Sequence, residues 1–134
     1  MSDLAKEWEP AVRRRLDEER NVWLCTIRPD GSAHVTPVWF IHRRDRWWIC
    51  SDQKSVKVRN VRREPRVSLA LEDGRSPVVA EGSATVRGKD FPGDIVAAFE
   101  RKYGWDISAP DASGREYVLL EVQVRRWLMA GTAP

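Results

Sequence analysis

Residues 49–71 read ICSDQKSVKVRNVRREPRVSLAL, and this stretch decides the fold. An apolar run that is typical of a strand ends at Ser51, and a polar loop follows it. The pattern then predicts a short helix over Ser55–Arg63, because Ser55 is a favourable N-cap and the Pro65 that follows cannot continue a helix. A second, mostly apolar strand is predicted from Arg66 onward. The segment therefore predicts a strand, a loop, a short helix and a second strand.

The loop and the first helical turn bring together groups that bind anions. Ser51, Ser55 and Lys57 lie within seven residues of one another. The first N–H groups of a helix lack intrahelical acceptors, and the helix dipole is positive at this end. Hydroxyl donors, free amides and a cation predict a phosphate site here. The alternative is that Lys54, Lys57 and Arg59 form a solvated helix face with Ser55 as a plain cap.

The rest of the chain predicts a small antiparallel β-barrel with helices at its ends. Apolar residues recur every four positions near the N-terminus and indicate a helix over residues 4–19, and the region from 94 to 103 has a similar pattern. Alternating and β-branched runs predict six strands, which would close into a barrel and leave no free sheet edge. Their expected bounds are Val22–Ile27, Ala33–Ile41, Arg46–Ser51, Arg66–Leu71, Val78–Val86 and Tyr117 to about Ala130.

Two local features refine this barrel. Gly82 interrupts the fifth predicted strand and indicates a β-bulge. Trp47 and Trp48 are adjacent on the third strand, so their side chains point to opposite faces of the sheet. One of the two must lie outside the barrel core, either under a helix or at a contact between two copies of the chain.

Composition and charge narrow the possible functions. The chain has 134 residues and a net charge of +3, with no apolar run of membrane-spanning length and no secretory signal pattern at its N-terminus. Cys25 and Cys50 lie in apolar runs without metal-ligand spacing, so we expect buried free thiols in the cytoplasm. The six basic residues between Lys54 and Arg66 are a weak indication of nucleic-acid binding, because acidic residues are interspersed elsewhere, and we expect no such partner.

No residue pattern indicates a catalytic nucleophile or a metal centre. His34 and His42 have no Cys or carboxylate at ligand spacing, and no serine has a local base. We therefore name no catalytic residue and no metal ligand. If the protein is an enzyme, a cofactor must supply the reactive group.

Three runs resemble the FMN-binding split-barrel superfamily. They are TPVWF at residues 36–40, the 49–71 segment and VVAEGSATV at residues 78–86. The superfamily includes pyridoxamine 5′-phosphate oxidases and the flavin and deazaflavin oxidoreductases of actinobacteria. The resemblance implies one split-barrel domain over residues 1–134, mainly β within an α+β class. This domain would contain an N-terminal helix over residues 1–19 and a six-stranded antiparallel barrel with short flanking helices over residues 21–130.

The resemblance also implies a cofactor site. The phosphate end would be held by Lys57 with Ser55 and Ser51, and Lys54 would hold negative charge beyond it. The redox ring would lie on the second strand and on the end of the third, and Asn60 belongs to the same motif. The implied cofactor-binding residues are Thr36, Pro37, Val38, Trp39, Ile49, Cys50, Ser51, Lys54, Ser55, Lys57 and Asn60.

By the same resemblance, the protein is an oxidoreductase that transfers a hydride between coenzyme F-420, or alternatively FMN, and a planar conjugated small molecule. Members are homodimers with cofactor sites at the subunit interface, for which the outward Trp of the 47/48 pair and the strand Val78–Val86 are candidates. Pyridoxamine 5′-phosphate oxidases carry a basic residue where this chain has Val56, so that activity is less expected. A carrier of flavin, F-420 or haem without turnover is the other alternative.

Overall fold

The computed structural model describes residues 2–130, and the side chains of residues 10–128. Met1 and residues 131–134 of the expected domain lie outside the described part. Three helices and seven strands follow one another in the order α1 Ser2–Glu18, β1 Val22–Ile27, β2 Ala33–Val38, β3 Ile41–Arg43, β4 Arg46–Asp52, α2 Val56–Arg63, β5 Arg66–Leu71, β6 Val78–Arg87, α3 Gly93–Tyr103 and β7 Tyr117–Ala130.

The helices lie where the sequence pattern predicts them. Ser55 is the N-cap of α2, and its hydroxyl accepts the Val58 N–H at 3.4 Å. At its other end α2 stops before Pro65, and α3 ends at Gly104, whose left-handed backbone terminates the helix. None of the helices in residues 2–130 is long and apolar enough to cross a lipid bilayer.

The predicted second strand is wrong in one respect, because it is two strands. β2 pairs with β1, whereas β3 pairs with β4 at the opposite edge of the sheet. The break falls at Phe40, whose N–H donates to Tyr103 Oη at 2.9 Å while its carbonyl accepts from Lys102 Nζ at 3.0 Å. The backbone of Phe40 is thus held by α3 and is not available to a strand ladder.

All seven strands form one antiparallel sheet in the order β2-β1-β5-β6-β7-β4-β3. The expectation of a six-stranded barrel is corrected to seven strands. Within residues 2–130 no strand pairing joins the two edges β2 and β3, so the barrel is split rather than closed. The split-barrel α+β fold implied by the resemblance is confirmed.

The curled sheet has an apolar cluster on each side. The inner cluster fills the barrel and includes Trp47, which is 0% exposed, and the outer cluster lies under α3 and includes Trp48, which is 1% exposed. The prediction that one of the two lies outside the barrel core, under a helix, is confirmed. Neither ring reaches the surface, so the suggestion that one of them lies at a subunit contact is wrong.

The central pairing of β6 with β7 carries an irregularity. The register shifts between Val79 and Ala80 and again between Glu81 and Gly82. The predicted irregularity at Gly82 is confirmed, but the extra residues of the bulged pairing, Arg125 and Leu128, lie in β7 and not in the strand that contains Gly82. Because this is the most extensive pairing in the sheet, the bulge sets the curvature that brings the two halves of the barrel around one core.

Candidate functional site

Polar side chains lie close together at the junction between β4 and α2. Ser51 is buried at the end of β4, and its Oγ lies 3.1 Å from Ser55 Oγ. Asp52 shapes the turn between them, because its Oδ1 accepts the Lys54 N–H at 2.9 Å and its carbonyl accepts the Ser55 N–H at 3.0 Å. The turn therefore presents two hydroxyls at the start of the helix. Sequence reasoning missed Asp52, although an Asp that precedes a Lys-Ser turn is a recognisable Asx-turn signal.

Lys57 is the cation of this group. Burial lowers the pKa of its ammonium, an effect that nearby Asp52 partly opposes. Within the described residues, the Lys57 side chain has no hydrogen bond or ion pair, and the N–H groups of Val56 and Lys57 have no acceptor. Asp52 is close enough to act on Lys57 but forms no ion pair with it, and two amides at the helix start remain free, so an anion would satisfy these donors.

Asn60 has a different position from the one expected. Its side chain is buried, and its Nδ2 donates to the hydroxyl of buried Thr26 at 3.0 Å. This bond ties the middle of α2 to β1, so Asn60 supports the site from behind. Thr26 was missed, and its only signal was a lone hydroxyl at an inward position of an apolar strand.

Three further predicted residues form the framework under the site. Val38 and Ile49 belong to the inner cluster together with Val58 of α2, so their side chains face the barrel interior. Cys50 points to the opposite face and packs at the border of the cluster under α3. Burial raises the pKa of the Cys50 thiol to about 12, so the thiol stays protonated and is a poor nucleophile at neutral pH.

The edge strand β2 carries an unusual polar atom. Thr36 Oγ1 is buried and has no hydrogen-bond partner among the described residues. On the same strand Pro37 is exposed and lies opposite Trp23 of β1, which is 43% exposed. Thr36 lies opposite the buried Leu24 and faces the barrel interior, whereas Pro37 and Trp23 face outward, so the unpartnered hydroxyl and the exposed apolar edge are on opposite faces of the sheet.

Trp39 leaves β2 and packs against α3. Its ring stacks on Tyr103 with centroids 4.4 Å apart and planes 7° apart, and Arg20 covers the Tyr103 ring at 4.8 Å. The indole remains partly exposed. The structure thus joins Trp39 to an aromatic surface on α3, whereas Ser51 and Ser55 meet at α2. Tyr103 and Arg20 were missed, because their partners lie far away in the sequence.

The residues at the β4–α2 junction fit the phosphate end of a nucleotide-like cofactor. Two hydroxyls, two free N–H groups and a cation without an ion pair match the donor set that phosphates prefer. The exposed Trp39 and Pro37 offer apolar surface of the kind on which a flat ring rests.

A family model described as pyridoxamine 5′-phosphate oxidase matches residues 8–130. The chain belongs to the pyridoxamine 5′-phosphate oxidase family. The resemblance stated from the sequence is therefore confirmed. A search of curated protein sequences gives no significant match.

Several solved structures are similar to the chain. A conserved hypothetical protein of Mycobacterium tuberculosis is 31% identical, with a TM-score of 0.71, and the alignment covers 89% of this chain and 81% of that one. An F420 reductase is 21% identical with a TM-score of 0.70, covering 86% and 94%. The haem-storage protein HutZ of Vibrio cholerae is 17% identical with a TM-score of 0.78, covering 94% and 96%. The last two likenesses show the fold alone.

Proposed function

We propose that this protein is an oxidoreductase that uses coenzyme F-420, or alternatively FMN, to transfer a hydride to or from a planar conjugated small molecule. The superfamily binds flavins or deazaflavins. The observation that carries the proposal is the half-buried ammonium of Lys57, which has no ion pair among the described residues and belongs to the first turn of the helix that Ser55 caps. Such a group fits a cofactor phosphate better than it fits bulk water.

Lys54 favours F-420 over FMN. Lys54 is exposed and directly precedes, in the sequence, the helix start that is proposed to bind the phosphate. F-420 carries glutamates beyond its phosphate, and an additional cation suits that negative tail. The F420 reductase among similar structures is consistent with this choice at the level of the fold.

In this proposal the cofactor supplies the hydride chemistry at its ring. The chain's own residues bind and shield: Ser51, Ser55 and Lys57 hold the phosphate, and Pro37 and Trp39 exclude water beside the ring. We assign no general acid, because burial raises the pKa of the Cys50 thiol to about 12, which makes it too weak an acid, and because the thiol faces the cluster under α3. The proton that accompanies the hydride comes from solvent.

We further propose that a second copy of the chain completes the site. An apolar row crosses the outer face of four strands, from Pro37 through Trp23 and Ala70 to Val79. Val35, at the edge of this row, is 53% exposed. Of the two interface candidates named from the sequence, the strand Val78–Val86 contributes Val79 to this row. The tryptophan of the 47/48 pair is not part of it.

Replacing Lys57 by alanine is expected to weaken cofactor binding about 10- to 150-fold, the usual worth of a hydrogen bond to a charged group. Calorimetric titration with F-420 and with FMN measures the effect. Lys54→Ala is expected to weaken the binding of F-420 and to leave that of FMN unchanged. Arg14→Ala, on the exposed side of α1, is the control. Unchanged affinity of Lys57→Ala for both cofactors would refute the site.

Replacing Trp23 by glutamate is expected to dissociate the dimer, because a charge cannot be buried in an apolar contact without a partner. Sedimentation velocity distinguishes monomer from dimer, and Arg75→Glu in an exposed loop is the control. We also expect weaker cofactor binding in the monomer. A Trp23→Glu protein that remains dimeric at micromolar concentration would contradict the assigned face.

A carrier without turnover is the second candidate function. In its favour, the structure shows no group that is suited to act as an acid or a nucleophile beside the Lys57 group, within the described residues. Reduced F-420 incubated with a panel of enones and quinones separates the two, since turnover restores the absorbance of oxidised deazaflavin. Tight binding without turnover favours the carrier, and peroxide formation from pyridoxamine 5′-phosphate with FMN and oxygen would indicate the oxidase activity instead.

A further inference from the structure

The inner face of the edge strand β2 carries two polar side chains. His34 and Thr36 alternate along the strand with Val38, which belongs to the inner apolar cluster, so all three side chains face the barrel. The Nδ1 atom of His34 and the Oγ1 atom of Thr36 are buried, and neither has a hydrogen-bond partner in the part of the chain that the structure describes. Buried polar atoms are rarely left without partners, so these two are candidates for binding a ligand.

The strand register places His34 close to helix α2. His34 lies opposite Thr26 of β1, and side chains in such a cross-strand pair have Cβ atoms about 5 Å apart. The Thr26 hydroxyl accepts Nδ2 of Asn60, in the middle of α2, at 3.0 Å. A single side chain, that of Thr26, therefore separates His34 from the helix.

Lys57 lies on the side of α2 that is turned toward the barrel. Residues three and four positions apart are neighbours on a helix surface, and the two residues in those positions after Lys57 are the buried Asn60 and Val61. The Lys57 side chain is itself half-buried. His34 and Lys57 are thus both neighbours of the bonded Thr26–Asn60 pair.

The charges around this pair favour an anion. Lys57 is a cation without an ion pair among residues 10–128. Asp52, the carboxylate that acts on it, is shared with Arg115, whose Nε lies 3.8 Å from its Oδ2. At the other end of α2, Glu64 is bound through both of its oxygens by Arg66. The remaining groups are hydroxyls, backbone amides and an imidazole, all of which can donate hydrogen bonds to an anion.

We propose that His34 and Thr36 complete the phosphate site of Lys57, so that the phosphate is held between α2 and the free edge strand β2. The inference rests on the proposed function and adds to its site His34, which the predicted cofactor set does not contain. His34 Nδ1 and Thr36 Oγ1 donate from the strand, and Lys57 and the free N–H groups donate from the helix. Binding joins an edge strand to a helix, so it is expected to slow amide hydrogen exchange in β2.

FMN and riboflavin differ only in the phosphate, so together they separate a phosphate contact from a ring contact. In calorimetric titrations of His34→Leu we expect the Kd for FMN to rise at least ~10-fold and the Kd for riboflavin to stay unchanged. F-420 is expected to lose as much affinity as FMN. Ala33→Leu places the same side chain on the exposed face of the same strand and is the matched control.

Inorganic phosphate tests the site without any ring. In amide NMR spectra, phosphate at millimolar concentration is expected to shift the signals of residues 34–36 and 55–58 together. His34→Leu is expected to remove the shifts in β2.

The outcomes separate this inference from the proposed function. If Lys57→Ala weakens FMN binding and His34→Leu does not, the proposed cofactor site stands and this inference fails. Equal losses of FMN and riboflavin in His34→Leu would also overturn it. Joint phosphate shifts in a protein that binds neither flavin nor F-420 would support the phosphate site between β2 and α2 and refute the proposed cofactor.

Discussion

Replacing Gly82 by alanine is expected to lower the free energy of unfolding by about 3 kcal/mol or more. A Cβ at this position would lie 2.4 Å from the backbone oxygen of Gln123 and 3.1 Å from Val122 Cγ1. The obstacle is backbone of the paired strand β7, so no side-chain rotation relieves it. Urea denaturation measures the loss, and insolubility would be its extreme form.

Gly74→Ala is the matched control for this substitution. Gly74 lies in the turn between β5 and β6, and a Cβ there meets no atom within 4 Å. Its effect is expected to stay within about 0.5 kcal/mol. If Gly82→Ala unfolded at the same urea concentration as Gly74→Ala, the close approach of β6 and β7 described above would be wrong.

The protein is expected to lose about 3 kcal/mol of stability between pH 6.5 and pH 4 because of His42 alone. Burial lowers the pKa of this imidazole to about 4, and Arg13 and Lys102 act in the same direction, whereas Asp45 and Asp17 oppose it. The unfolded chain binds a proton near pH 6.5, and the folded chain does so only near pH 4. Stability therefore falls as the pH drops through this interval.

His42→Phe removes the titration and keeps a ring beside Trp47, from which His42 lies 5.3 Å between centroids. In the variant, the unfolding free energy should fall by about 3 kcal/mol less over the same interval than in the unaltered chain. His34→Gln retains His42 and should keep the original acid sensitivity. Equal acid sensitivity of His42→Phe and the unaltered chain would show that this imidazole is not responsible.

The polar part of the candidate site was predictable because its chemistry is local. Ser55 caps the helix that it precedes, and Lys57 lies in the first turn of the same helix. Ser51 is only four residues from Ser55, so a short turn is enough to bring the two hydroxyls together. Capping and helix-start electrostatics depend on neighbours within one turn, which a single sequence displays.

The framework of the site was not predictable from pattern. Asn60 lies in the same motif as Lys57, but its side chain bonds to Thr26, which is 34 residues away. In the sequence, Trp39 continues the pattern of the second predicted strand. In the structure, its ring stacks on Tyr103 of α3. An alternating pattern shows that two faces differ, but it does not show what covers each face.

By itself the sequence determined the positions of the helices and of most strands, the cap of α2, the irregularity at Gly82 and the turn that brings Ser51 to Ser55. Only the tertiary structure decided that the second strand breaks at Phe40 and that Trp47 and Trp48 are both buried. The first set depends on residues that are near one another in the chain. The second depends on distant parts of the chain: α3 binds the backbone of Phe40 from some sixty residues away and covers Trp48, and the other strands of the barrel enclose Trp47.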